Sequence, residues 1–102
     1  MPPQIHRRAL LTLVCEAGLE ASLVRDFATL GAHGYTITDA RGRGAHGTRE
    51  GSWSPSANIR VEILCDESTA VNILAHVQRQ YYAHYGMVAF LAEVEVLRPE
   101  KF

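Results

Sequence analysis

Several features are scarce in this chain, and each scarcity closes off a class of protein. No apolar run approaches the roughly 18 residues that a membrane-spanning helix needs. The first residues, Met1-Pro2-Pro3-Gln4-Ile5-His6-Arg7-Arg8, hold neither the apolar region nor the small-residue cleavage site of a secretory signal. A soluble, cytoplasmic chain is therefore expected. Cysteine occurs twice, as Cys15 and Cys65, in separate apolar runs and without C-x-x-C spacing. A disulfide framework needs more pairs and a zinc site more ligands, so two buried, reduced thiols are expected. An excess of one charge is lacking too. The net charge is -1, which argues against a nucleic-acid or membrane-surface partner. Internal repeats and low-complexity tracts are absent. With 102 residues the chain makes one domain, 1–102. It is too short for a multi-domain enzyme, a complete dinucleotide dehydrogenase or a kinase, yet long enough to bury a core.

What is present is an alternation of strand and helix patterns. Residues 8–15, RALLTLVC, form a continuous apolar run suited to a central strand. From 19 to 30, Leu23, Phe27 and Leu30 recur at i, i+4, i+7, an amphipathic helix that Gly31 and Gly34 can stop. Residues 35–38 are β-branched and aromatic, a second strand. Residues 58–65, NIRVEILC, alternate Ile59, Val61 and Ile63 against Arg60, Glu62 and Leu64, a third. The spacing predicts a second helix over 68–82, capped by Asp66 or Ser68, with Ala70, Leu74, Val77 and Tyr81 as its buried face and Gly86 as its end. Residues 87–97 make a fourth strand, stopped by Pro99. The order βαββαβ implies an α+β, ferredoxin-like fold, with a four-stranded antiparallel sheet and two helices on one face. Nothing in the chain covers the other face, although apolar residues occupy both faces of several strands. Such a face exceeds the usual exposed patch of a monomer, so an oligomer is expected.

The segment 41–57, RGRGAHGTREGSWSPSA, follows neither period. It joins strands 2 and 3, where hairpin loops usually run about 2 to 5 residues. It carries four of the eight glycines, Pro55 and the single tryptophan, Trp53. Arg41, Arg43, Arg49 and Arg60 cluster here, with Glu50 the one acid among them. Nine of the ten basic residues are arginine, whose planar fork matches phosphate and carboxylate. A glycine-rich loop bearing arginines suits an anionic ligand or an acidic partner, and an exposed tryptophan suits a contact surface. Gly42-x-Gly44-x-x-Gly47 matches the dinucleotide fingerprint in letters only, because that fingerprint must open a helix. Its glycines can still let backbone amides approach a phosphate. No catalytic constellation assembles. Neither cysteine has a base beside it. His6, His33, His46, His76 and His84 are scattered, with His76 and His84 two turns apart on one helix. Glu93 and Glu95 share one strand face, the usual polar side of a half-exposed strand.

Three strings taken together resemble the PII-like signalling proteins, in particular the SbtB and carboxysome-associated PII branch. They are Gly31-Ala32-His33-Gly34-Tyr35-Thr36, then Gly42-Arg43-Gly44 with Arg49, then Ala57-Asn58-Ile59-Arg60-Val61-Glu62-Ile63-Leu64. Nearly the whole chain is covered in the same element order. The resemblance implies a ferredoxin-like homotrimer that is not an enzyme and binds adenine nucleotides in clefts between subunits. It implies ADP or AMP as the ligand, with ATP and cyclic AMP as further candidates, and bicarbonate as a second ligand. Residues 41–57 become a T-loop that orders on ligand binding and docks on a bicarbonate transporter or a carboxysome-associated protein. By position, Arg43 and Arg49 match the phosphate-holding residues, and Gly42 and Gly44 the turn beside them. Gly34, Tyr35 and Thr36 match the strand lining the pocket, and Gly86, Met87, Val88 and Phe90 the segment beside the adenine. Arg98 and Lys101 would reach the phosphates from the neighbouring chain. Arg60, Arg49 or Lys101 would hold bicarbonate.

The departures bound what the resemblance implies. The 41–57 segment has no tyrosine, so uridylylation of the enteric PII kind is not expected. Tyr85-Gly86-Met87-Val88 stands where enteric PII proteins have Gly-Asp-Gly-Lys, so triphosphate preference and 2-oxoglutarate binding do not carry over. The chain ends at Phe102 without a cysteine-bearing tail, so redox control of that kind is not expected. Two rival readings stand beside this one. One is a ferredoxin-like metal-handling protein of the CutA type, or a small enzyme. It would use Glu93 and Glu95 or the histidines, with Cys15 and Cys65 joining them at the ends of parallel neighbouring strands. The other is an interaction module with no small ligand.

Overall fold

The computed structural model describes residues 2–42 and 57–101. Strand β1 (His6–Glu16) runs into a short 3-10 turn (Ala17–Leu19) and helix α1 (Glu20–Leu30). Strand β2 (Thr36–Ala40) and strand β3 (Asn58–Cys65) follow, then helix α2 (Glu67–Gln80), strand β4 (Val88–Val96) and a last 3-10 turn (Pro99–Lys101). The sheet order is β2-β3-β1-β4 and every pairing is antiparallel. This is the expected ferredoxin-like arrangement.

Alternation sorts each strand into two faces. Ala9, Leu11, Leu13 and Cys15 of β1 stand opposite Cys65, Ile63, Val61 and Ile59 of β3, and all eight are buried. The helices close this face. Helix α1 contributes Leu23 and Phe27, one turn apart, and α2 contributes Ala70, Ile73 and Val77. The expected face of α2 changes by one residue: Ile73 is fully buried, while Leu74 sits at the margin of the core. Positions i+3 and i+4 lie on either side of the same stripe, and packing against β1 selects the former.

The helix ends follow from local chemistry. Gly31 takes a left-handed φ of 88° after α1, a conformation that costs glycine least. Asp66 caps α2, its carboxylate accepting the Thr69 N–H at 2.8 Å and the Ser68 hydroxyl at 3.1 Å. Those bonds, the backbone one first, hold the Asp66 carboxyl below its usual value. Helix α2 stops at Gln80, two residues before the expected end. The Tyr81 carbonyl instead accepts the N–H groups of both His84 and Tyr85, each at 3.0 Å. His84 therefore sits in a turn and not on the helix with His76.

Candidate ligand-binding site

The residues expected to bind a nucleotide fall into two groups. The first enters β2. After the Gly31 turn, Ala32 tucks into the core and its N–H bonds the Phe27 carbonyl at 2.9 Å. Tyr35 then leans on Phe27, ring centroids 5.6 Å apart, with its other side open to solvent. Gly34, Tyr35 and Thr36 line a groove of about 530 Å³ together with Leu10, Glu62 and Leu64. The groove crosses the uncovered sheet face toward Val94 and Val96 at the end of β4.

The second group opens β4. Gly86 is exposed, while the Met87 side chain is 6% exposed and belongs to the core. Val88 and Phe90 are 54% and 45% exposed. They share the uncovered face with their β1 partners Val14 and Thr12. That face is apolar along the chain's own strands, as Leu10, Leu64, Ala92, Val94 and Val96 also belong to it. Thr12 at its centre is fully buried, and its hydroxyl has no partner among the described residues.

One chain does not bring the two groups together. Thr36, Glu62, Thr12 and Phe90 form one row across the sheet. The row puts β2 at one edge and β4 at the other, three strand spacings or about 14 Å apart. Arg98 is exposed beyond the far end of β4. It lies more than ten residues along from Gly86, on the order of 30 Å at the ordinary strand rise, and so away from Gly42 at the exit of β2. Arg43, Gly44, Arg49 and Trp53 lie outside the described residues, as does the side chain of Lys101. Arg60 projects on the uncovered face with Glu62 at 3.7 Å, both side chains partly exposed, so an anion there competes with a carboxylate.

The other candidate residues lie apart from these two groups. The antiparallel ladder sets Cys15 opposite Ile59 and Cys65 opposite Ala9, at opposite ends of the pairing. The expectation that the two thiols end parallel strands side by side is thereby corrected. Both are free and buried. Burial first, and then the charge of Glu16, pushes the Cys15 thiol up to about 11; Cys65 is raised likewise by burial and by Asp66. Glu93 and Glu95 are exposed on the far half of β4, where Arg7 approaches Glu93 at 3.7 Å. Among the described residues no three of His, Cys, Asp and Glu converge as a metal would need. No described helix is long and apolar enough to cross a membrane. Sequence reasoning missed one polar cluster. Ser22 and Asp26 of α1 meet His76 and Tyr81 from the α2 side, with His76 Nε2 3.0 Å from Asp26. Ser22 and Asp26 stand one turn apart, but nothing in a single sequence pairs them with α2.

The sequence model of the nitrogen regulatory protein P-II family matches residues 8–101. The chain belongs to this P-II family. Its fold superposes on a PII-like signalling protein of Thermus thermophilus with a TM-score of 0.81 and 41% identity, covering 97% of this chain and 98% of that one. It also superposes on CPII, a nitrogen regulatory PII-like protein of Thiomonas intermedia, in a structure bound to ADP, AMP and bicarbonate. There the TM-score is 0.84 at 24% identity, over 99% of this chain and 98% of that one. A second CPII structure, bound to ADP and bicarbonate, gives 0.85 at 24% identity, over 99% of each chain. No curated protein matches the sequence. Membership of the PII-like proteins, expected from the Gly-Tyr-Thr and Asn-Ile-x-x-Glu-Ile-Leu strings, is borne out.

Proposed function

We propose that the protein is a trimeric, non-enzymatic regulator that binds ADP or AMP in clefts between its subunits. The observation that carries this reading is the division of the expected site. Gly34–Thr36 and Gly86–Phe90 occupy opposite sheet edges, beside an apolar face that the described residues leave uncovered. A ring of copies joined head to tail brings one edge of each subunit to the other edge of the next. Tyr35 and Thr36 of one subunit would then face the start of β4 of its neighbour, and Arg98 and Lys101 would come to the phosphates from across the interface. The adenine nucleotides bound by CPII support this choice of ligand.

The segment 41–57 serves as the reporter in this reading. Ordering a glycine-rich loop costs about 1 kcal/mol or more per residue, and charge-assisted bonds from Arg43 and Arg49 to phosphate offset part of it. Loop order thus depends on the ligand, which makes it a switch that a target protein can read. Bicarbonate is the second ligand. Arg49 and Lys101 are the better anchors for it, because Arg60 already has Glu62 beside it. The target would be a bicarbonate transporter or a carboxysome-associated protein in the cytoplasm, so that the protein reports inorganic-carbon or energy status.

The test is calorimetry with AMP and ADP, each with and without bicarbonate, on the wild type and on Arg49→Ala. Saturable binding that bicarbonate strengthens, and that Arg49→Ala weakens at least tenfold while the assembly persists, is the expected result. No binding of any adenine nucleotide would end this reading.

A further inference from the structure

Two consecutive tyrosines grip the segment that carries the second half-site. Tyr81 points inward. Its hydroxyl donates to Asp26 Oδ2 and, having spent its one proton there, accepts from Ser22 Oγ at 2.7 Å. Its carbonyl holds the turn over residues 81–85. Tyr82 points the other way. Its hydroxyl accepts the Ala89 N–H at 3.0 Å. That N–H belongs to an edge strand and faces away from β1, so no described strand takes it. The Tyr82 ring lies in a groove of about 360 Å³ with Val71, Leu74 and Gln78 of α2. The loop leading into β4 is thus tied to α1 through Tyr81 and to the body of α2 through Tyr82, and Ala89 stands between Val88 and Phe90.

We infer that Tyr82 is a positioning residue for the nucleotide site: its hydroxyl fixes the backbone of Val88–Phe90 where the ligand is to be met. The inference rests on the proposed binding of adenine nucleotide by the Gly86–Phe90 segment. The bond is exposed, and a net hydrogen bond of this kind translates into roughly a three- to tenfold change in an equilibrium constant. Tyr82→Phe removes the acceptor and keeps the ring in its groove. Val71→Ala loosens the same groove and leaves the bond intact.

The experiment measures the ADP dissociation constant at 25 °C for the wild type, Tyr82→Phe and Val71→Ala, with amide exchange at Ala89 followed in parallel. Expected are a three- to tenfold weaker Kd and faster Ala89 exchange for Tyr82→Phe, against a Kd within twofold of wild type for Val71→Ala. A residue that merely stabilised the fold would lower the unfolding temperature of both variants and leave both Kd values alone. Equal Kd values for wild type and Tyr82→Phe would overturn the inference and leave the proposed function standing. Equal weakening by the two variants would overturn it too, by assigning the effect to packing. A wild type that binds no ADP would remove both the function and the positioning role.

Discussion

Phe90 offers the sharpest perturbation of the uncovered face. It is 45% exposed and points away from the helix-covered core, with Thr12 as its cross-strand partner. A phenylalanine carries about 200 Å² of buriable surface, so about 90 Å² remains to be covered when copies assemble. At about 25 cal/mol per Å², covering it contributes about 2 kcal/mol per copy. Three copies lose about 6 kcal/mol of assembly free energy in Phe90→Ala, which lowers the trimerisation constant by roughly four to five orders of magnitude. Sedimentation equilibrium at micromolar concentration reads this directly, with far-ultraviolet circular dichroism to show that the fold survives. The expected variant is a folded monomer, or a trimer that dissociates on dilution where the wild type does not. A Phe90→Ala protein with the same mass and the same dilution behaviour as wild type would refute the reasoning, and so would a monomeric wild type.

Three further outcomes follow from the core. Ile73→Ala empties a fully buried site between α2 and the sheet and should lower stability by about 2 to 5 kcal/mol in urea unfolding; a loss below about 1 kcal/mol would displace Ile73 from the core face. Thr12→Val should leave stability unchanged or raise it by about 1 kcal/mol, since the lost hydroxyl has no partner among the described residues. A loss of about 1 kcal/mol or more would reveal a bond made in the assembly. Cys15 is held protonated in the fold, so the stability it contributes is complete below pH 9 and is lost as pH rises through about 11. The gap between wild type and Cys15→Ala should shrink by about 2 to 3 kcal/mol across that window, and a gap independent of pH would show that the thiol is not perturbed.

The strands and helices were legible because their residues carry a period. Ile59, Val61 and Ile63 alternate, and β3 spans the expected residues. Leu23 and Phe27 repeat at one turn, and α1 buries them. What pattern could not supply was choice between neighbours. Ile73 and Leu74 flank the same helical stripe, and only the sheet decides between them. The strand at Tyr35 starts one residue later, at Thr36, because pairing with Glu62 of β3 sets the boundary. The end of α2 depends on a carbonyl, that of Tyr81, and one residue type says little about a turn. The antiparallel ladder that separates Cys15 from Cys65 follows from the topology, which the βαββαβ order already implied. The proposed site was named in the sequence as strings and not as a place. Gly34-Tyr35-Thr36 and Gly86-Met87-Val88 could be named from sequence, but their location on opposite edges needed the strand order. The Tyr82 bond to Ala89 joins a side chain to a backbone group, and no pattern of residues announces it.

A mixing experiment tests most directly whether the site is shared between copies. Thr36→Asp would disable the proposed β2 half-site and Gly86→Asp the proposed β4 half-site, each by setting a bulkier, negatively charged side chain at an exposed position where an anionic nucleotide is to be met. Each variant alone should bind no ADP. Unfolded and refolded together in equal amounts, they should recover about a quarter of the wild-type sites, because head-to-tail assembly pairs the two intact halves at that fraction of interfaces. A mixture that binds no more ADP than either variant alone would place the whole site within one chain and contradict the account.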